Sequence, residues 1–410
     1  MKPIHLLLPM LILAAPLIAA DVQVPIDKPE NVGMSSDRLR RIHEAMQRHV
    51  DAGEISGAVT LVARRGRLVH FEAHGLMDIE SKRPMEKDAI FRIASMSKPI
   101  TGVAVMMMLE EGKLRLNDLV SKFLPEFRDP KVAVPRGAAG QFYPIPADRE
   151  LAIRDLLTHT NGLMTGGIGS KAGPARMVEG DTLATYIPKL ATAPLDFQPG
   201  TQWAYSGYAA PDTLSRIVEI VSGQPYDEFL STRIFQPLGM KDTFFYPPDD
   251  RRPRMTTLYR KSPNGLQRAE NQDGFSLKSY FSGGGGLMST AEDYLQFAQM
   301  LLNGGELRGK RLLSPRTVDL MASNHVGDMF NGKLGRPAHG MGYGLLVGIV
   351  EDGVAAGLRV SNGSFGWDGA YGTQTWIDPK EKMVTIVMIQ TQVTSVQRDF
   401  ENAVMQAIVE

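Results

Sequence analysis

Cysteine is absent from the 410 residues. That excludes a disulfide framework, a thiolate metal site and a lipid-attachment cysteine behind a leader. A charge surplus is absent too: Lys+Arg and Asp+Glu are both 45, for a formal net charge of zero. Without a basic footprint, neither nucleic acid nor an anionic membrane surface is an expected partner. Only Leu6 to Ala20, after Lys2, approaches the apolar length of a membrane span, and it ends Ile18-Ala19-Ala20 before Asp21. It is shorter than the roughly 20 residues a span needs and contains Pro9 and Pro16. The charged start, apolar middle and small-residue end therefore predict a cleaved secretory signal over residues 1–20 rather than an anchor. The expected product is a bacterial periplasmic or secreted chain, stabilised by its core alone.

What is present is globular material, 43% hydrophobic and 22% charged. Ser35 or Ser36 caps a predicted helix through Leu39, Ile42, Met46 and Val50, with Gly53 past its end. Gly57 to Ala63 and Leu68 to Ala73 read as strands joined at Arg64-Arg65-Gly66-Arg67. His70 and His74 fall in or beside the second run, and with no ligand pattern around them they read as structural rather than metal ligands. A helical pattern runs from Ser95 to Gly112, another helix-like stretch covers Leu114 to Phe127, and Pro130 to Pro146 reads as a long loop. His159 closes a short amphipathic helix and reads as packed and hydrogen-bonded. Further helices are expected over Thr182 to Ala191, Ala209 to Val221 and Tyr226 to Ile234. Glycines 283 to 286 lack the Lys-Ser/Thr ending of a phosphate loop, so they predict close backbone packing. Strands return at Gly344 to Val350, Ala355 to Val360, Gly372 to Ile377 and Met383 to Ile389, before a terminal helix bearing Phe400, Val404 and Ile408.

Sheet residues at both ends and helices between them predict an α+β fold: an antiparallel sheet flanked by the terminal helices, with an all-helical lobe inserted. The sheet lobe would span about 21–92 and 287–410 and the helical lobe about 93–286. At their junction stands Phe91-Arg92-Ile93-Ala94-Ser95-Met96-Ser97-Lys98-Pro99. On a helix, residues three apart share a face about 5–6 Å apart at Cβ, so the Ser95 hydroxyl and Lys98 amine can meet. A serine hydroxyl needs a base to take its proton during attack, and a neutral lysine can be that base. Early helical placement favours a developing oxyanion and suits Pro99.

Ser-x-x-Lys alone is a weak motif, but two more stretches stand beside it: Trp203-Ala204-Tyr205-Ser206-Gly207 and Phe365-Gly366-Trp367-Asp368-Gly369-Ala370. With Arg154-Asp155-Leu156-Leu157-Thr158-His159, Pro237-Leu238-Gly239-Met240 and Gly285-Gly286-Leu287-Met288, they give a specific pattern from about Met34 to Ile408. The chain resembles the serine β-lactamase and penicillin-binding-protein superfamily, in the class C β-lactamase-like branch that contains the family VIII carboxylesterases. The resemblance implies a β-lactamase/transpeptidase-like fold with Ser95 as acylated nucleophile and Lys98 and Tyr205 as the proton-handling pair. It also implies an oxyanion hole from the backbone N–H groups of Ser95 and Ala370, substrate contacts at Trp367, Asp368 and Gly369, and no cofactor or metal.

Two departures bear on substrate. Lactamases of this branch usually carry asparagine two places after the tyrosine, where Gly207 stands, and Lys-Thr-Gly where Trp367-Asp368-Gly369 stands. A lost charged hydrogen bond to a substrate carboxylate costs about 1.5–3 kcal/mol, and Asp368 facing the cleft would add repulsion. The expectation is therefore a small-molecule ester substrate cleaved by a serine hydrolase. A β-lactamase or D,D-peptidase is the alternative, and a non-catalytic sensor on the same fold a further one.

Overall fold

A computed structural model of the protein describes residues 24–137, 140–174, 177–272 and 278–410. The expected secretory signal lies outside them. Strands β1 (Gly57–Arg64), β2 (Arg67–Asp78), β3 (Arg83–Pro84), β4 (Met341–Tyr343), β5 (Gly348–Val350), β6 (Phe365–Asp368), β7 (Gln374–Asp378) and β8 (Met383–Met388) form one sheet. Its spatial order is β4-β5-β6-β7-β8-β1-β2-β3, antiparallel throughout. The join between the two ends of the chain is the β1–β8 ladder, with Val59 opposite Met388 and Arg64 opposite Met383.

Every residue of β1 is buried because the sheet is covered on both faces. Ala58 and Val62 point toward helix α1 (Ser36–Asp51), where Ile42 and Met46 meet Phe400 and Val404 of the last helix. Val59, Leu61 and Ala63 point the other way, into a larger core shared with helices α2 (Ser97–Glu110), α3 (Ala209–Ser222) and α4 (Ala291–Leu302). The last helix, α5, runs Thr394–Met405. Period-2 alternation thus serves two cores, each buried Val or Leu contributing about 1.5–3 kcal/mol. Ser35 caps α1 by accepting from Arg38 N–H, and Thr290 caps α4 by accepting from Asp293 N–H.

Four expectations about local structure change. Leu114 to Phe127 forms only the 3-10 turns Val120–Lys122 and Pro125–Phe127. There the backbone bonds outward, Val120 N–H to Leu151 O and Ile153 N–H to Asp118 O, instead of along a helix. Pro130 to Pro146 holds a hairpin, Lys131–Pro135 with Phe142–Pro146, anchored where Leu195 N–H donates to Lys131 O. Ala355 to Val360 is no strand: the Asp352 carboxylate caps Val354 and Ala355 N–H, starting the helical turn Gly353–Ala356, which ends at Gly357 with φ 65°. The expected strand Gly344 to Val350 is split, since Gly344 N–H bonds Val347 O in a turn between β4 and β5. The inserted region also carries a second hairpin, Tyr259–Ser262 with Gly265–Arg268, so it is mainly rather than wholly helical.

Candidate active site

Ser95 sits in a 3-10 turn, Ala94–Met96, immediately before α2, one turn earlier than a start on the helix itself. Ala94 has φ 45°, a conformation L-residues rarely adopt and one that persists only when its surroundings enforce it. Here they do. Ile93 N–H bonds Leu287 O, Ile93 O accepts from the Thr373 hydroxyl, and Met96 O accepts from the Tyr294 hydroxyl of α4. The turn is pinned from three elements, with the Ser95 side chain left partly open.

Lys98 is fully buried, and its Nζ donates to Ser95 Oγ at 3.0 Å and to Gly284 O at 2.6 Å. Among the described residues it makes no ion pair. The Gly284 carbonyl can reach it because the glycine run packs without room for side chains: a Cβ on Gly284 would lie 2.8 Å from Gly207 O, and one on Gly283 2.2 Å from Ser215 Oγ. Behind this peptide lies Asp212 of α3, accepting from Gly284 N–H, the Ser282 hydroxyl and the Tyr280 hydroxyl. Burial raises its carboxyl to about 6, against the lowering effect of those three donors and of Lys98. Sequence inspection missed Asp212, although an acidic residue in the apolar run Ala209-Ala210-Pro211-Asp212-Thr213-Leu214 was a visible signal.

A carboxyl raised from 3.8 to about 6 binds its proton more tightly folded than unfolded. Its contribution to stability is therefore greatest at low pH and falls as pH rises from about 4 through about 6, by about 3 kcal/mol at most. Asp212→Asn should remove this slope. Urea midpoints between pH 4 and pH 7 should fall more steeply in the natural protein than in the variant, and parallel curves would contradict the assignment.

Tyr205 brings its ring against the lysine, with Lys98 Nζ 4.8 Å from the ring centroid, and its hydroxyl accepts from Trp367 Nε1 at 3.2 Å. His159 stands behind it, ring centroids 4.8 Å apart. This histidine is fully buried, with φ 56°, and its Nδ1 accepts from Ser206 N–H. Burial first and Lys98 second hold it well below the ordinary histidine range, so it is neutral and a wall for Tyr205. Tyr208 adds a second ring 5.9 Å from Lys98 Nζ, and its phenol is raised by burial. Ser95, Lys98 and Tyr205 are thus brought to one place.

The remaining predicted residues lie at the end of β6. Trp367 is buried, so it touches Tyr205 rather than an open cleft. Gly369 meets the Ser95 turn: a Cβ there would lie 2.1 Å from Thr373 Oγ1 and 2.5 Å from Ile93 O. Gly369 N–H bonds Thr373 O and Gly372 N–H bonds Gly369 O, a turn that leaves Ala370 exposed. Gln397 of α5 donates to Gly372 O and braces the same turn. Asp368 departs from expectation. Its carboxylate accepts from Arg336 and from Gln374 Nε2, and Arg336 also lies over the Trp367 ring. Paired in this way, Asp368 presents no bare negative charge, and the repulsion argument loses its force. A cavity of about 470 Å³ touches Arg336, Asp368, Gly369 and Gln397, but Ser95, Lys98 and Tyr205 are not in its wall. Gly369→Ala should push this turn off Ile93 and, if Ala370 N–H is the expected oxyanion donor, lower kcat about 10²–10³-fold with KM little changed. Steady-state ester kinetics would show this, and an unchanged kcat would remove the turn from the site.

The arrangement offers a hydroxyl, a buried amine, a phenol and a turn of exposed backbone within one small volume. The chain is 39% identical over 354 residues to Protein Rv1367c of Mycobacterium tuberculosis, covering 83% of this chain and 87% of that protein. It is 31% identical over 359 residues to Esterase EstB of Burkholderia gladioli, covering 82% and 86%. Among solved structures, EstCE1, described as a hydrolase with promiscuous acyltransferase activity, superimposes with a TM-score of 0.75 at 30% identity, over 90% of this chain and 99% of that one. The model of the family described as Beta-lactamase matches residues 42–410, and on that match the chain belongs to the Beta-lactamase family, with its β-lactamase/transpeptidase-like fold.

Proposed function

We propose that this chain is a serine hydrolase that cleaves carboxylic esters of short or medium chain through an acyl-enzyme on Ser95, acting in the periplasm or outside the cell. The observation that carries this reading is the 3.0 Å contact between Ser95 Oγ and a buried Lys98 Nζ that has only neutral oxygens as hydrogen-bond partners. The Ser95 proton passes to the Lys98 and Tyr205 pair as Oγ attacks the ester carbonyl. The carbonyl oxygen gathers negative charge against the N–H groups of Ser95 and Ala370, donors aimed where charge develops. Lys98 and Tyr205 then return a proton to the leaving alcohol, and the same pair takes one from the water that releases the acid.

Esters are favoured over lactams by what the site lacks. Gly207 has no amide to meet an acylamino group, and the buried Trp367 fills the place of a carboxylate-binding lysine. The likeness to proteins named esterases supports the same choice. Lys2 with the apolar run Leu6 to Ala20 supports export. Turnover of p-nitrophenyl acyl esters across chain lengths, beside nitrocefin, tests the preference. Faster ester hydrolysis, peaking at short or medium chains, is expected, whereas faster nitrocefin turnover or stable penicillin labelling would replace this reading with lactam or D,D-peptidase chemistry.

A further inference from the structure

His70, Glu72 and His74 occupy alternate positions of β2, so their side chains leave the same face of the strand. Over that face α1 brings His43, whose Nδ1 lies 3.1 Å from Glu72 Oε1 and whose ring centroid is 5.4 Å from that of His74. The other Glu72 oxygen is 3.9 Å from His74 Nε2. One ligand atom each from His43, Glu72 and His74 falls within 4.8 Å of the others. We propose that these three residues bind a divalent transition-metal cation of the zinc type, clamping α1 to the sheet.

The donor set suits such an ion. Two imidazoles and a carboxylate hold zinc at about 2.0–2.2 Å, which puts ligand atoms roughly 3.3 Å apart around a tetrahedral centre. The present separations need only small rotations, and the two residues that would rotate are the exposed ones: the side chains of His43 and Glu72 are 54% and 39% accessible, and that of His74 is 0%.

Thr60, opposite Glu72 in the β1–β2 register, supplies a support. Its hydroxyl lies 2.8 Å from His70 Nε2 and 3.0 Å from His74 Nε2. One hydroxyl has one proton, so it donates to one ring and accepts from the other. With His70 as the donor, the hydroxyl gives its proton to His74 Nε2, and a cation arriving there displaces that bond while His70 keeps its own. A cavity of about 710 Å³ opens over His43, His70 and Glu72, so an ion reaches the site from their side, with His74 beneath them and outside the cavity wall. Arg40 and Lys87 also line it, Arg40 paired with Asp37 and Lys87 over the Phe71 ring.

The test uses the untagged chain, titrated with zinc by calorimetry and with cobalt(II) by visible absorption, together with thermal unfolding. Expected are one zinc per chain, a zinc-dependent rise in unfolding temperature, and a cobalt absorption band of a low-coordinate nitrogen and oxygen site. His43→Ala and Glu72→Gln change only surface-accessible side chains, so both should fold. Each should weaken zinc affinity at least tenfold and abolish the band. Equal binding in both variants would place the metal elsewhere, and no binding by the natural chain at millimolar zinc would leave His43 and Glu72 as an ion pair only. Either result overturns the proposal.

Discussion

Ser95→Ala is expected to lower ester turnover by about 10⁴-fold or more, because it removes the atom proposed to bond the acyl group. Stability should barely move. The variant loses one hydrogen bond from a partly exposed side chain, worth about 1 kcal/mol, and Lys98 retains Gly284 O. Initial rates with a p-nitrophenyl ester, beside urea unfolding, separate the two effects. Substantial residual turnover in a folded variant would assign the nucleophile elsewhere.

The second large effect is expected at Lys98. Lys98→Met removes the proposed proton acceptor while keeping the shape of a side chain that is 0% exposed. Activity should fall about 10³-fold or more, in the range of a lost general base and its coupled steps. Stability should stay equal to the natural protein or rise, since a polar head no longer has to be held out of water; the Gly284 carbonyl left without its donor offsets about 1–3 kcal/mol of that gain. A variant that loses activity and fold together would make Lys98 a structural residue. One that keeps activity would remove it from proton transfer.

The parts legible in the sequence were those set by local chemistry. Ser35 at the start of α1, alternation in β1, and the spacing of Ser95 and Lys98 each follow from side chains a few residues apart. Tyr205 and Gly369 entered through motif resemblance, since nothing local says that one lies against Lys98 and the other against the backbone of Ile93. What was missed depends on contacts across the chain. Asp212 acts through the Gly284 peptide, 72 residues away in sequence, and Arg336 reaches Asp368 across 32. His43 comes to Glu72 only because α1 lies over β2, a contact that no spacing along the strand announces. The misread segments have the same origin: Asp352 capping Val354 turns an apolar stretch helical, and Leu195 pairing with Lys131 draws a proline-rich stretch into a hairpin.

The most direct measurement is mass spectrometry of the folded protein after brief exposure to a fluorophosphonate, with peptide mapping of the adduct. A single phosphonyl group on the peptide carrying Ser95, formed far more slowly in Lys98→Met, is the predicted result. An adduct on any other residue, or none while ester hydrolysis proceeds at full rate, would contradict the claim that this hydroxyl carries the acyl group.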